Sequence, residues 1–390
     1  MHGPLLVELG LVILGLGLLG ALSVRLSISP VPLYLLGGLA FGAGGLVPLG
    51  ASDEFISTGA EIGIILLLFT LGLEYTAEEL VGVLRRGAPV GLLDLVLGAG
   101  PGVAAALLLG WGPVAAVTLA GVTYATSSGI TAKLLGDLGW LGNRETPAVL
   151  SLLVLEDLAM AAYLPVLTAL LGHTGLGGGS RSLGVALVAV ALVLVATLRY
   201  GHVVERFLHS ASDEVLLLKV LGLTLLVAGV AQRLQVSAAV GAFLVGIALS
   251  GPLAHEARTL LTPLRDLFAA VFFVFFGLHT NPRDLPPVAW AALLLALAGV
   301  VTKMVTGAVA ARRVSLTGRL RAGTALVPRG EFSIVIAGLA VTAGVRPQLG
   351  SLAAAYVLVL AVAGPLLARG AEPLGRWWTA RRASRQPAGG

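Results

Sequence analysis

The stretch Thr123-Tyr124-Ala125-Thr126-Ser127-Ser128-Gly129-Ile130-Thr131 decides how this chain folds. It lies in the middle of an apolar block, 113–136, which is long enough to cross a membrane as a helix. Backbone that leaves the helix at membrane depth is tolerated only where protein buries it or where it lines a cavity. The hydroxyl groups could instead bond back to their own helix. The stretch alone therefore leaves two interpretations open, a helix broken at a site or a regular polar helix.

A second unusual stretch, Val327-Pro328-Arg329-Gly330-Glu331-Phe332-Ser333, lies in the apolar block 319–343. Pro328 removes a helix hydrogen-bond donor, and Gly330 loosens the backbone. Two interrupted helices in matching halves of a chain are typical of transporters that bind substrate near the middle of the membrane. The two stretches together predict two discontinuous helices that cross at a central substrate site.

Apolar blocks of similar length recur along the whole chain. Of its 390 residues, 57% are hydrophobic and 12% are charged, whereas a soluble domain has about 25% charged residues. A helix that spans the bilayer needs about 20 apolar residues. We therefore predict an all-α polytopic membrane protein with thirteen transmembrane helices, the two unusual stretches falling in spans five and twelve. The thirteen blocks lie near 4–24, 30–50, 58–75, 87–110, 113–136, 146–171, 182–204, 213–231, 236–252, 260–279, 287–311, 319–343 and 348–368.

Basic residues alternate between the loops in a way that supports this count. Loops after odd-numbered spans, together with the tail, carry eighteen Lys and Arg residues, and loops after even-numbered spans carry four. Because cytoplasmic loops are enriched in basic residues, we expect the N-terminus outside the cell membrane and the C-terminus in the cytoplasm. The net charge of +5 then reflects cytoplasmic loops, and no nucleic-acid partner is expected.

Two pairs of spans resemble each other. Span three ends with an apolar run followed by Gly72-Leu73-Glu74, and span ten ends with an apolar run followed by Gly277-Leu278-His279. Spans two and nine share a glycine pattern at 36–42 and 240–246. Both pairs are seven spans apart, and an odd offset reverses the direction of crossing, which indicates inverted-topology repeats. Chance similarity between Gly/Leu-rich helices is the alternative.

The repeats predict the domain organisation. We expect one membrane transporter domain, 1–368, and a short basic cytoplasmic tail, 369–390. Within the domain, the first repeat covers about 4–171, a linking helix about 182–204 and the second repeat about 213–368.

Charged residues inside spans are costly, so they indicate function by default. Span six carries the adjacent acids Glu156 and Asp157, whose side chains point about 100° apart on a helix. Lys303 lies midway along span eleven, where an unpaired ammonium would be strongly penalised. We expect Lys303 to pair with Glu156 and Asp157 to face the cavity. The alternative is that all three form a structural ion network without a transport role.

The remaining polar residues are interpreted as structural. We expect Asp94 to accept hydrogen bonds from a backbone or hydroxyl donor, and Arg329 and Glu331 to brace the second break. Direct contact with the ion is the alternative for all three. An intramembrane aspartyl hydrolase would need two facing acids, such as Asp94 and Asp157, and we do not expect one. The chain has no cysteine, and its six histidines lie at span ends or in loops without ligand spacing. No metal site, cofactor or enzymatic activity is therefore expected.

Several stretches together resemble one known family. They are Ala125-Thr126-Ser127-Ser128-Gly129-Ile130-Thr131-Ala132-Lys133, Glu156-Asp157, Val240-Gly241-Ala242-Phe243-Leu244 and Pro328-Arg329-Gly330-Glu331. Over roughly 30–368 the chain resembles the bacterial Kef/NapA type of monovalent cation/proton antiporter, which belongs to the sodium/hydrogen exchanger family and the second cation/proton antiporter superfamily. The resemblance implies two bundles, a moving core domain and a dimerisation domain, and a homodimer in the lipid bilayer.

The resemblance also implies roles for individual residues. Asp157 falls on the family's ligand for cation and proton, and Lys303 falls on its lysine in span eleven. Thr126 and Ser127 fall on the unwound segment that lines the site, with Ser128 and Thr131 in support. The implied function is secondary active exchange of K⁺ or Na⁺ for protons by alternating access, with cation and proton competing for Asp157. The alternatives are a sodium-coupled solute symporter or a cation channel of the same fold.

The chain departs from the family in two respects. Relatives carry Asp, Asn or Gln at the position of Glu156, so the sequence leaves open whether exchange is electroneutral and whether Glu156 itself titrates. Many Kef-type proteins also continue into a cytoplasmic nucleotide-binding domain. This chain ends soon after its last span, so we expect any such regulation to require a separate cytoplasmic subunit.

Overall fold

The computed structural model describes residues 3–26, 30–42, 53–73, 77–171, 206–208, 210, 212–233, 238–249 and 251–383. Within these ranges the chain is largely α-helical and contains no β-strand, so the predicted all-α class is confirmed. The predicted linking helix, 182–204, lies outside the described residues. The described α-helices are α1 (Gly3–Leu26), α2 (Pro30–Phe41), α3 (Asp53–Gly72), α4 (Ala77–Leu108), α5 (Pro113–Tyr124), α6 (Ser128–Asp137), α7 (Thr146–Leu171), α8 (Asp213–Arg233), α9 (Ala238–Ala248), α10 (Gly251–Leu278), α11 (Leu285–Ala310), α12 (Leu316–Ala325), α13 (Glu331–Thr342) and α14 (Pro347–Ala383).

These helices account for twelve of the thirteen predicted spans. Spans five and twelve are each divided into two helices, α5 with α6 and α12 with α13. Six segments in the described part, one of them α5 together with α6, are long and apolar enough to cross a membrane, and four shorter apolar helices accompany them. Helix α7 has the predicted bounds, whereas α14 continues past residue 368, where we placed the start of the tail.

The turn between α4 and α5 is tight. Gly110 and Gly112 have φ angles of 68° and 87°, a region that side chains other than glycine rarely adopt. Pro113 then begins α5, a position where its missing N–H leaves no helix hydrogen bond unmade. The sequence Trp111-Gly112-Pro113 therefore separates two helices where apolar composition alone shows almost no boundary.

The helices form two bundles. One contains α1–α3 and α8–α10, and the other contains α4–α7 and α11–α14. Each bundle therefore takes three consecutive predicted spans from the first repeat and three from the second. The two bundles meet through a shared apolar core that includes Leu35 and Phe276 of one bundle and Val327 and Ile334 of the other.

Close glycine contacts join the two repeats inside the first bundle. A Cβ atom added to Gly38 in α2 would lie 2.7 Å from the Cα of Gly277 in α10. A Cβ atom added to Gly246 in α9 would lie 2.8 Å from the Cα of Gly72 in α3. Gly72 and Gly277 are the matching glycines of the two similar sequence stretches. Helices of the two repeats thus approach each other closely at these glycines.

Candidate ion site

The two breaks cross each other inside the second bundle. They comprise residues 125–127, between α5 and α6, and 326–330, between α12 and α13. The N–H of Ser127 donates to the carbonyl of Pro328 at 2.9 Å. The hydroxyl of Thr131 donates to the carbonyl of Ala325 at 2.8 Å. The backbone groups released by each break are therefore partly satisfied by the other break, which buried backbone requires.

The crossing leaves no room for a side chain at Gly330. A Cβ atom there would lie 2.5 Å from Oγ and 2.7 Å from Cβ of Ser127. Glycine is thus needed at this position because the two unwound segments touch.

Four half-helix ends meet at the crossing. Helices α6 and α13 begin there and present partly positive N-termini, whereas α5 and α12 end there and present partly negative C-termini. Glu331 lies in the first turn of α13 and accepts a hydrogen bond from the Ser127 hydroxyl at 3.2 Å. The Ser127 hydroxyl also accepts from the N–H of Ile130 and so caps α6. Acid and hydroxyl groups therefore stabilise the two N-termini.

Arg329 stabilises the two C-terminal ends. Its side chain is completely buried. Its Nε donates to the carbonyl of Thr123 at 3.2 Å. Its Nη1 donates to the carbonyls of Leu326 and Val327, both at 3.0 Å. One guanidinium thus binds the carbonyl ends of both α5 and α12, and this is the brace expected from the sequence.

Lys303 binds two acids instead of the single one predicted. Its ammonium lies 2.8 Å from Oε1 of Glu156, which confirms the expected pair, and 2.7 Å from Oδ1 of Asp94. All three side chains are completely buried. Our interpretation of Asp94 as the acceptor of a backbone or hydroxyl donor was wrong. The chain positions of Asp94 and Lys303 carry no signal for this pair, because it depends on how α4 is rotated against α11.

Glu156 has further partners in the first break. Its carboxylate accepts hydrogen bonds from the backbone N–H of Thr126 and, at 3.0 Å, from the Thr126 hydroxyl. The Thr126 hydroxyl also lies 3.1 Å from the carbonyl of Leu326. The ring of Tyr124 lies 5.4 Å from the Lys303 ammonium, within the range of a cation–π contact. Thr126 thus links Glu156 to both breaks.

Asp157 occupies a separate place from Glu156. It is 2% exposed, and its Oδ2 accepts a hydrogen bond from the Ser128 hydroxyl at 3.1 Å. Ser128 is the first residue of α6, so this acid lies at a partly positive helix end. Ser128 is partly exposed and Gly129 is exposed, so accessible surface reaches the first turn of α6 beside Asp157.

The structure thus divides the predicted site residues into groups. Asp157 and Ser128 lie together, Glu156 lies with Thr126 and Lys303, and Ser127 lies with Glu331. Thr131 and Arg329 hold the crossing. Among the described residues, no group of three or more His, Cys, Asp or Glu side chains is placed to hold a metal ion. The carboxylate and hydroxyl oxygens beside Asp157 are ligands of the kind that replace the hydration shell of an alkali cation.

Comparison with known proteins identifies similar chains over nearly the whole length. Residues 11–369 match the family described as "Sodium/hydrogen exchanger, transmembrane". The chain is 34% identical to the ammonium/H⁺ antiporter subunit AmhT of Alkalihalophilus pseudofirmus, over 93% of this chain and 92% of that protein. It is 30% identical to the K⁺/H⁺ antiporter subunit KhtU of Bacillus subtilis, over 94% and 93% of the two chains.

A solved structure has a similar fold. The sodium proton antiporter MjNhaP1 from Methanocaldococcus jannaschii superimposes with a TM-score of 0.71, and the match covers 95% of this chain and 98% of that one. The two sequences are 20% identical, so the likeness concerns the fold.

Proposed function

This chain belongs to the sodium/hydrogen exchanger family, and from that premise we propose that Asp157 is the group for which a monovalent cation and a proton compete. The protein is a multi-pass membrane antiporter that exchanges a monovalent cation for protons. The observation that carries the proposal is the setting of Asp157. It is a buried acid at the N-terminus of a half-helix, next to accessible surface, while its neighbour Glu156 is bound to Lys303.

Competition at one carboxylate couples the two fluxes. A proton and a cation neutralise the same negative charge, so they bind in alternation. A bare charge is costly to move through the hydrophobic part of the membrane, so the loaded site crosses and the empty site does not. The apolar surface between the two bundles contains the shared core residues described above, and it is the plane along which we propose that the second bundle moves.

The other predicted residues position Asp157 or the breaks. We propose that Ser128 is a direct oxygen ligand of the cation, because its hydroxyl already contacts Asp157. Thr126 and Ser127 then act through Glu156 and Glu331, to which they are hydrogen-bonded. The antiporter names of the two relatives favour cation/proton exchange and give no support to a symporter or a channel. Those names specify ammonium and K⁺, so we propose K⁺ as the first cation to test, with Na⁺ beside it.

Assembly and orientation are further parts of the proposal. Both relatives are named as antiporter subunits, which supports a separate partner subunit for this chain. The family resemblance supports a homodimer, and the distribution of basic residues supports an external N-terminus and a cytoplasmic C-terminus.

The substitution Asp157→Asn tests the central proposal. It removes the exchangeable charge and keeps the size of the side chain, so cation-dependent proton movement should fall to the background of empty vesicles. The measurement is fluorescence-dye quenching in proteoliposomes with K⁺, Na⁺, ammonium and Li⁺ at several pH values. In the wild-type protein, cation movement without a proton response would indicate a channel.

The matched control is Asp137→Asn, which makes the same change at an exposed position at the end of α6. This variant should exchange at the wild-type rate. Both proteins are first compared by size-exclusion chromatography in detergent, so that loss of fold is separated from loss of exchange. Retained exchange in a folded Asp157→Asn protein would overturn the assignment.

A further inference from the structure

Among the described residues, five Asp, Glu, Lys and Arg side chains are at least 98% buried around the crossing. They are three acids and two bases, so the group carries one excess negative charge when all are ionised. Glu331 also lies beside the crossing but is partly exposed, so it is counted separately from the buried group. The five are Asp94, Glu156, Asp157, Lys303 and Arg329. A single proton or a single monovalent cation therefore neutralises the group completely.

The balance depends on Asp94. Without its charge, two acids would face two bases, and the group would already be neutral before any cation bound. Asp94 binds Lys303 through Oδ1, and its buried Oδ2 has no hydrogen-bond partner among the described residues. Lys303 is thus the hydrogen-bond partner of Asp94 among the described residues, and the charge of Asp94 acts on the rest of the group through that ammonium.

We propose that Asp94 is a positioning residue that sets the net charge of the ion site through Lys303. This inference rests on the proposed function of Asp157. Lys303 bridges Asp94 on α4 and Glu156 on α7, so its charge is shared between two acids. Asp94 neutralises part of the positive charge of Lys303. The surroundings of Asp157 are therefore more negative than they would be if Lys303 paired with Glu156 alone, and the added negative charge attracts a cation. Asp94 acts without contacting the ion.

A charge-restoration experiment separates this role from a structural one. In Asp94→Asn the site loses its excess negative charge, so the apparent KM for K⁺ should rise about tenfold or more, as a nearby charge typically changes ion binding by one or more powers of ten. In Asp94→Asn/Lys303→Gln the excess negative charge returns, so KM should fall back toward the wild-type value. KM and maximal rate are measured in proteoliposomes across pH and extrapolated to conditions in which protons no longer compete.

The matched control is Glu145→Gln, the same kind of change at another buried acid. Glu145 is 4% exposed and pairs with Arg321 at 2.5 Å, away from the five-residue group. This variant should leave the KM for K⁺ unchanged. Thermal unfolding of each purified protein shows whether it is folded before its KM is compared.

Two results would overturn the inference. A double variant with a KM as high as that of Asp94→Asn would make the pair a structural brace, because Lys303→Gln only adds to lost contacts. A Glu145→Gln variant with an equal rise in KM would make the effect general to buried acids. Either result leaves Asp157 unaffected, whereas exchange by Asp157→Asn would remove the proposed function itself.

Discussion

The two helix breaks occupy matching places in the inverted repeats but differ in chemistry. The first, 125–127, presents hydroxyl groups and leads into α6 beside Asp157. The second, 326–330, contains Arg329, whose guanidinium binds the carbonyl ends of α5 and α12. Under the proposed function, the second break holds a permanent cation that belongs to the protein, and the first holds a cation that is exchanged.

Two serines show how far the symmetry extends. Ser128 and Ser333 both lie in the first turn of the half-helix that follows a break, Ser128 in α6 and Ser333 in α13. The Ser128 hydroxyl donates to Asp157, whereas the Ser333 hydroxyl donates to the carbonyl of Val122 at 2.7 Å and is completely buried. The repeats therefore duplicate the broken backbone, while the side chains differ: under the proposed function, Ser128 serves the ion and Ser333 serves stability.

Among the substitutions that test the difference between the two breaks, Arg329→Met is expected to cause the largest loss of stability. It removes the charged donor of four buried carbonyl groups, and the loss should be about 3 kcal/mol of stability or more. Thermal unfolding of the purified protein in detergent measures it. The control is Arg312→Met, at an exposed arginine, which should unfold like the wild type. If both variants unfold at the same temperature, the stability of the second break does not depend on the Arg329 guanidinium.

A medium effect is expected from Gly330→Ala. The added methyl group meets Ser127 at the point where the breaks touch, and overpacking of this kind costs about 1–3 kcal/mol. The comparison is Gly136→Ala in α6, where nothing lies within 4 Å of the added atom. That change should stabilise the helix by about 0.5–1 kcal/mol. Unfolding curves that shift in the same direction would contradict the close approach of the two breaks.

The smallest effect is expected from exchanging the two serines for alanine, one at a time. Ser128→Ala should weaken K⁺ binding, raising KM about fivefold for a lost hydrogen bond worth about 1 kcal/mol, with little change in stability. Ser333→Ala should lower stability by about 1 kcal/mol and leave KM unchanged. Transport assays measure the KM for K⁺, and thermal unfolding measures the stability, of both variants. The opposite assignment of effects would mean that the second break, and not the first, serves the ion.

Much of the site could be predicted from the sequence because the membrane makes certain residues conspicuous. A proline two residues before a glycine, a hydroxyl cluster and three charges in otherwise apolar blocks all stand out, since each is costly in lipid unless it has a function. The pairing of Glu156 with Lys303 followed from the same reasoning, as an unpaired buried lysine would be penalised. The contact between Ser128 and Asp157 was less visible, because Ser127 and Thr126 have the same chemistry and differ only in direction.

The sequence by itself determined the number and order of most helices, the places of the two breaks and the set of buried charges. These are local properties, governed by hydropathy over about 20 residues and by backbone chemistry at single positions. Only the tertiary structure decided which charges meet. Asp94 and Lys303 are 209 residues apart in the chain, and the contact depends on the rotation of two packed helices. Packing sets that rotation. It brings Asp94, for which the sequence predicted a backbone or hydroxyl donor, into contact with the Lys303 ammonium.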